Sequence, residues 1–314
     1  MTAESILNFV PEKYKDTIRP NQTEALLKVE KDWNFKDVFI IDAPTGSGKS
    51  LIAVVIGRWQ EAQDKRTAII TPTIQQQEQL QETSLGRPSL KGKARYKCTD
   101  NKKLSCKKMY ELNNKTYCPG CPYVTARNRV KRESLVIGNY YSYYALKFQR
   151  DAAHTDTLII DEGHTMIDMI LELNTITFSA RDGLTEEFLR DTRGDVTVWM
   201  ENALSALRKE EYSPKITQAR ASRVSKLIAK YDEFLSREYL YHMKRELNED
   251  GTINVVCIPN KAAGMTAVPW KPKGRQKIII MSATFSDKDV AILGLSNRNI
   301  ERVTTDHPIP AGQR

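Results

Sequence analysis

The sequence has no long hydrophobic run. Its longest, LIAVVIG at 51–57, falls far short of the eighteen or more apolar residues a membrane span needs, so no membrane partner is expected. The opening MTAESILNFVPEKY lacks the basic-then-apolar plan of a secretion signal, which places the chain in a reducing interior, cytoplasmic or beside the chromosome. Cysteine is scarce and odd in number: there are five, four of them in one window. That pattern argues against a disulfide framework and for metal ligation in the window. The fifth, Cys257, lies in a valine-rich stretch and reads as a small buried hydrophobe. Internal repeats and low-complexity tracts are absent, which removes solenoids and disordered tails from consideration.

What is present is an uneven distribution of charge. The net charge is +9, yet residues 87–132 alone hold fourteen Lys or Arg against Asp100 and Glu111, so the rest of the chain is slightly acidic. A basic concentration of this kind beside clustered cysteines points to a polyanion, most simply a nucleic-acid backbone. The aromatics nearby, Tyr117, Tyr123, Tyr140 and Tyr141, offer faces for base stacking, although tyrosines beside strands more often pack.

Hydrophobic residues make up 40% of the chain, enough for a substantial core. Five apolar runs, VFIID (38–42), AIITPT (68–73), LVIGNY (135–140), TLIIDE (157–162) and KIIIMSAT (277–284), are continuous rather than alternating. Such runs predict strands covered on both faces of a parallel sheet, with helices between them. Between the fourth and fifth runs, TEEFLRDT, VWMENALSALRKEEY and ITQARASRVSKLIAKYDEFLSREYLYHMKREL carry apolar residues at spacings of three and four, predicting a helical lobe. The runs QQQEQLQ (75–81) and KPKGRQK (271–277) read as exposed helix and loop.

The loop APTGSGKS, Ala43, Pro44, Thr45, Gly46, Ser47, Gly48, Lys49 and Ser50, fits a phosphate-binding loop with Ala in the first place, after a predicted strand and before a predicted helix. Gly46 and Gly48 let backbone N–H groups turn toward phosphate oxygens, Lys49 reaches the β and γ phosphates, and the Ser50 hydroxyl takes Mg²⁺. Downstream, Asp161 ends an apolar strand as a second Mg²⁺ ligand, and Glu162 is placed as the base for the attacking water. An ATP-hydrolysing site with Mg²⁺ is the expectation.

Together these motifs resemble those of superfamily 2 helicases, in the same order: APTGSGKS for motif I, TPT (71–73) for motif Ia with Thr71 and Thr73 on the strand, DEGH (161–164) for the DEAH box with catalytic His164, and SAT (282–284) for motif III with Ser282 and Thr284 coupling nucleotide to strand grip. IRPNQ resembles the adenine-reading segment, with Gln22 on the base; a plain helix start at Pro20 is the simpler alternative. Cys98, Cys106, Cys118 and Cys121, spaced x7, x11 and x2, followed by CPYVTAR, narrow the resemblance to XPD/DinG-type helicases, which hold a [4Fe-4S] cluster there. Structural Zn²⁺ is the alternative for four thiolates.

The resemblance implies a RecA-like P-loop parallel sheet with a small cysteine-ligated cluster domain and a helical, Arch-like insertion. It divides the chain into residues 1–86 (motor, first part), 87–132 (Fe-S), 133–170 (motor, DEAH segment), 171–253 (Arch-like), 254–304 (motor, motif III segment) and 305–314 (start of a second motor domain). It further implies 5′ to 3′ travel on single-stranded or tailed duplex DNA, with Lys102, Lys103, Lys107, Lys108, Arg127 and Arg129 gripping phosphates and Arg181, Lys226 and Lys230 as candidates to line a strand-threading hole. A second motor domain, in the same or another chain, supplies the arginine finger, so these residues alone are expected to hydrolyse ATP weakly. Two alternatives compete: a nucleotide-gated nucleic-acid-binding or assembly module that does not unwind, and a zinc-bearing nucleic-acid-dependent ATPase. The box departs from the usual pattern at Gly163, where the family has Ala, and at Thr165, where it commonly has Asn.

Overall fold

The computed structural model describes residues 4–44, 46–147, 155–179, 182, 196–249, 251–260, 270, 274 and 276–305. The strands are β1 Val38–Asp42, β2 Thr67–Thr71, β3 Ser89–Leu90, β4 Leu135–Asn139, β5 Thr157–Asp161, β6 Ile176–Phe178, β7 Tyr241–Leu247, β8 Ile253–Pro259, β9 Lys277–Ser282 and β10 Ile300–Thr304. The helices are α1 Pro20–Asp32, α2 Lys49–Glu61, α3 Ile74–Thr83, α4 Cys106–Leu112, α5 Pro122–Arg132, α6 Tyr140–Lys147, α7 Thr165–Asn174, α8 Val196–Glu211, α9 Gln218–Leu235 and α10 Asp287–Ile292.

The chain divides into two compact units at Met169/Ile170, the first resuming after the insertion. The first holds a seven-stranded sheet in the order β10-β1-β9-β5-β2-β4-β3, with every neighbouring pair parallel. Its β1, β2, β4, β5 and β9 are the five apolar runs of the sequence. They are buried along nearly their whole length, which is why they do not alternate. In this order β9 lies between β1 and β5. The loops that follow β1, β9, β5 and β2 therefore stand side by side at the carboxyl edge of the sheet, where ligands bind in open α/β folds.

Helix α2 sets the position of the first of those loops. Leu51, Ile52, Ala53, Val54, Val55 and Ile56 are all buried in one cluster with the strands and the amino-terminal turn at Ile6–Phe9. Each large aliphatic among them contributes about 1.5–3 kcal/mol of transfer free energy. Packing on this scale anchors the start of α2 against the end of β1.

The second unit has its own core of Phe178, Met200, Val224, Tyr231, Phe234, Val255 and Cys257. Helices α8 and α9 match the predicted helical pattern. The expectation of helix through YLYHMKREL is corrected: a 3-10 turn ends at Leu240 and the rest is β7, paired antiparallel with β8, which pairs with β6. The turn from β7 to β8 is closed by the Asn248 amide donating to the Thr252 carbonyl at 2.8 Å, with Gly251 left-handed at φ +78°. The small sheet places β8 with this unit, so the insertion runs beyond residue 253. Arg181, the segment TEEFLRDT, most of KPKGRQK and residues 306–314 lie outside the described residues.

Candidate functional site

The nucleotide loop is shaped by its glycines and by the start of α1. Gly46 and Gly48 are left-handed, at φ +80° and +82°, and a Cβ on Gly48 would lie 2.0 Å from Gln22 Nε2. That amide donates to the carbonyls of Ser47 (3.0 Å) and Gly48 (3.3 Å), while Gln22 Oε1 accepts from the Arg19 amide at 2.9 Å. Arg19 also donates to the Gly46 carbonyl at 2.7 Å. Gln22 was expected to face a base. In the structure it is buried and braces the phosphate loop through its amide, which donates to two of the loop's carbonyls. Thr45 lies outside the described residues.

Lys49, buried in the first turn of α2, points its ammonium at the Ala43 carbonyl (3.2 Å) and at Glu162 Oε1 (3.2 Å). The Ser47 hydroxyl is buried with no partner, an unsatisfied donor that a phosphate oxygen would relieve. Ser50 follows Lys49 in the same turn and is half-buried. Pro44 is half-buried and Ala43 fully buried, its amide bonded to the Ser282 carbonyl of β9 at 2.9 Å. Motif I is thereby tied to motif III through backbone alone.

Asp161 and Glu162 stand at the end of β5. Burial pushes the Asp161 carboxyl up to about 6, and the neighbouring Glu162 charge adds to the effect, while Lys49 and the Glu162 amide at 3.1 Å oppose it. Two carboxylates served by a single lysine leave an excess of negative charge. Carboxylate and hydroxyl oxygens are the hard ligands that suit Mg²⁺, so Asp161 and Ser50 fit that ion by chemistry.

Glu162 is left-handed without being glycine, at φ +52°, a conformation that needs support. Support comes from the buried Tyr140, whose hydroxyl donates to the carbonyls of Asp161 and Glu162, and from Thr165, whose hydroxyl donates to the Glu162 carbonyl at 2.8 Å. Sequence reasoning missed Tyr140 as a site residue and had it as a possible stacking ring. Its place at the end of the apolar run LVIGNY, where a buried ring still needs a partner for its hydroxyl, was the signal available. Gly163 also acquires a reason, since a Cβ there would meet Ile280 Cγ2 at 2.2 Å. The departure from Ala is compensated by a β-branched neighbour on β9.

From Glu162 the contacts continue through His164. Its Nδ1 lies 3.6 Å from Glu162 Oε2 and 2.9 Å from Ser282 Oγ, and Ser282 Oγ in turn accepts from the Thr284 amide at 3.3 Å. The three residues expected to link hydrolysis with motif III, His164, Ser282 and Thr284, thus lie in one chain of contacts that begins at Glu162.

The nucleic-acid candidates divide. Lys102, Lys103, Lys107, Lys108 and Arg129 are exposed, as is Thr73, which caps α3 by accepting from the Gln76 amide at 3.2 Å. Thr71 is fully buried, with its hydroxyl donating to the Thr73 carbonyl at 3.0 Å, so its side chain shapes the loop and is not presented to a strand. Arg127 lies over the rings of Tyr117 and Tyr123 at 5.8 and 5.9 Å. Those tyrosines, with Tyr96 and Tyr110, form a small aromatic core around Lys93, whose ammonium is 4.3 Å from the Tyr110 ring. Tyr117 and Tyr123 therefore pack, and of the four stacking candidates Tyr141 is the exposed one, at 45%. In the second unit Lys230 is held by the Thr177 carbonyl at 2.6 Å and Asp182 at 3.1 Å, which gives it a structural role there.

A cavity of about 540 Å³ opens between motif Ia and the cysteine segment, lined among others by Pro72, Lys91, Lys93, Arg95, Asn139 and Tyr141. It was not foreseen, because its walls come from four separate stretches of sequence.

Cys98, Cys106, Cys118 and Cys121 are all free and buried. A bridge between Lys97 and Ser105 brings the first two near each other, and the turn at Gly120, φ +63°, brings in the second two. The sulfurs stand as two close pairs, Cys98 with Cys118 at 3.4 Å and Cys106 with Cys121 at 3.6 Å. As they stand, no three metal-capable side chains among the described residues are arranged to hold an ion. The donor set, four thiols with no carboxylate, suits a soft centre, [4Fe-4S] or Zn²⁺.

Residues 15–184 match the family model of the type III restriction enzyme res subunit. A probable ATP-dependent helicase of Methanocaldococcus jannaschii is 28% identical over 205 residues, covering 54% of this chain and 32% of the relative. The solved structure of S. tokodaii Xpd4 is similar with a TM-score of 0.52 at 11% identity, over 92% of this chain and 61% of that one, a likeness of fold. The chain thus spans about a third of the length of its helicase relative. The matched residues contain the phosphate loop, the cysteine segment and the paired acids, and on that match the chain belongs to the type III restriction enzyme res-subunit family of superfamily 2 helicases, with an XPD-like fold.

Proposed function

We propose that this chain is the nucleotide-hydrolysing motor portion of a DNA helicase of the XPD/DinG type, moving 5′ to 3′ on single strands. One observation carries the reading: the phosphate-binding Lys49 and the candidate base Glu162, far apart in sequence, meet at 3.2 Å. An arriving γ-phosphate would replace Glu162 as the partner of Lys49, freeing that carboxylate to accept a proton from water. Magnesium, when bound, supplies charge neutralisation on the phosphates, and Asp161 and Ser50 would hold it. The change at Glu162 would pass through His164 to Ser282 and Thr284.

Grip on the strand falls to the exposed lysines of the cysteine segment and to the cavity beside motif Ia, whose lining includes Arg95 and Tyr141. The four cysteines would hold a [4Fe-4S] cluster; a colourless preparation carrying zinc would exchange the cluster for Zn²⁺ and leave the motor assignment intact. Full turnover calls for a further cation opposite Lys49, as a second motor domain would bring.

The test is a pair of variants. Lys49→Ala should abolish ATP binding, whereas Glu162→Gln should retain it and lower single-strand-dependent hydrolysis by about 10²–10⁴-fold. Hydrolysis that survives Glu162→Gln would refute the role of base, and a biological role that survives it would favour a non-unwinding binding module.

A further inference from the structure

A second basic cavity lies at the other end of α2. It measures about 330 Å³ and is lined by Arg58, Ser84, Leu85, Arg87, Arg129 and Glu133, among others. Arg58 follows Lys49 by nine residues on the same helix, so the two are about 14 Å apart along its axis. One triphosphate held by Lys49 does not reach it.

The three arginines differ in how they are paired. Arg87 forms a two-point ion pair with Glu61, whose carboxylate also accepts from the Ser134 hydroxyl at 2.5 Å. Glu61 is therefore saturated. Arg129 meets Glu133 only at 3.7 Å and remains 63% exposed. Arg58 has no such partner, and its Nη1 is buried without any acceptor. An arginine in the last turn of a helix is often explained by the negative helix end, but that role leaves the guanidinium in water. Here the side chain is half-buried, and its one buried nitrogen, Nη1, has nothing to receive its hydrogens, which costs free energy unless a ligand supplies the acceptor. With Glu61 and Glu133 counted, the cavity retains an excess of positive charge.

We infer that this cavity is an anion site for a phosphate group, with Arg58 as its central donor and Arg129 closing from the rim. Guanidinium forks suit phosphate oxygens, which accept paired hydrogen bonds. Glu133 also lines the cavity and its charge repels any anion, which limits affinity. The inference does not depend on the proposed motor function.

The test uses the whole chain carrying Lys49→Ala, so that the nucleotide loop does not report. Thermal unfolding in inorganic phosphate is compared with chloride at equal ionic strength. Phosphate should raise the midpoint, and adding Arg58→Gln should weaken the apparent phosphate affinity by about tenfold or more. Arg129→Gln, an exposed change that leaves the core intact, should weaken it by a smaller factor and serves as the readout should Arg58→Gln fail to fold. A midpoint equal in phosphate and chloride, or a phosphate effect that survives both substitutions, overturns the inference. A labelled single-stranded oligonucleotide separates the sources: binding weakened by the same substitutions and competed by phosphate identifies a backbone phosphodiester, and a response to inorganic phosphate alone identifies a free phosphate or small phosphate ester.

Discussion

The nucleotide edge of the sheet and the cysteine segment are both turns rich in polar residues, yet they are built in opposite ways. At the nucleotide edge, Asp161 and Ser282 are the last residues of buried parallel strands and Glu162 and Thr284 follow within two residues, so the sheet register sets their place: Asp42 pairs with Ser282, and Asp161 with Met281. In the cysteine segment the helices are short and the aromatic core is small, with the Tyr110 and Tyr117 rings tilted against each other at 4.5 Å beside Lys93. Four buried thiols occupy the place where a larger core would be. A site carried by a sheet keeps its geometry without ligand, whereas a segment of this size depends on what its thiols bind.

The strongest way to break the comparison is Cys118→Ser. It should abolish stoichiometric metal binding and expose the segment to proteolysis between residues 87 and 132, while ATP binding stays within a few-fold of the parent. Equal loss of both would show that the two regions fold as one. Next, Gly163→Ala should destabilise the sheet by about 1–3 kcal/mol through overpacking against Ile280. In an Ile280→Ala background the same change should cost little, and a double-mutant cycle in denaturant reads the difference.

Asp161→Asn tests the electrostatics. The folded carboxyl titrates near 6, above its usual 3.8, so its ionisation weakens the fold: the contribution is fully favourable below the unfolded value and is lost as pH rises through about 6. Asparagine should therefore stabilise the metal-free chain at neutral pH, on the order of 2 kcal/mol, while removing Mg²⁺-dependent hydrolysis. For the same reason Mg²⁺ binding by the parent should weaken as pH falls through about 6. Unfolding midpoints across pH for parent and variant check both signs. The smallest effect is expected from Tyr140→Phe, which keeps the packing and removes the hydroxyl under Glu162. Loss of about 0.5–1.5 kcal/mol should appear as a few-fold lower kcat with KM unchanged.

The strands of the seven-stranded sheet were legible because full burial forces continuous Ile and Val, and the phosphate loop because glycine spacing carries its conformation. The cysteines were legible as neighbours by their clustering, and their sulfurs do stand in two close pairs. Less was readable where one residue serves two plausible ends: Gln22 suited base reading and turned out to brace Ser47 and Gly48, Thr71 suited a strand contact and is buried, and YLYHMKREL suited a helix until β8 offered it a partner. In each case the deciding neighbour lies far away in the chain.

By itself, then, the sequence determined which stretches bury and which residue types can bind phosphate, magnesium or soft metal, since those depend on local pattern and side-chain chemistry. Only the tertiary structure decided that β9 enters between β1 and β5, and with it that Lys49 meets Glu162, His164 meets Ser282, and Ile280 excludes a methyl from Gly163. Strand order is a property of packing between distant segments, and no local pattern encodes it.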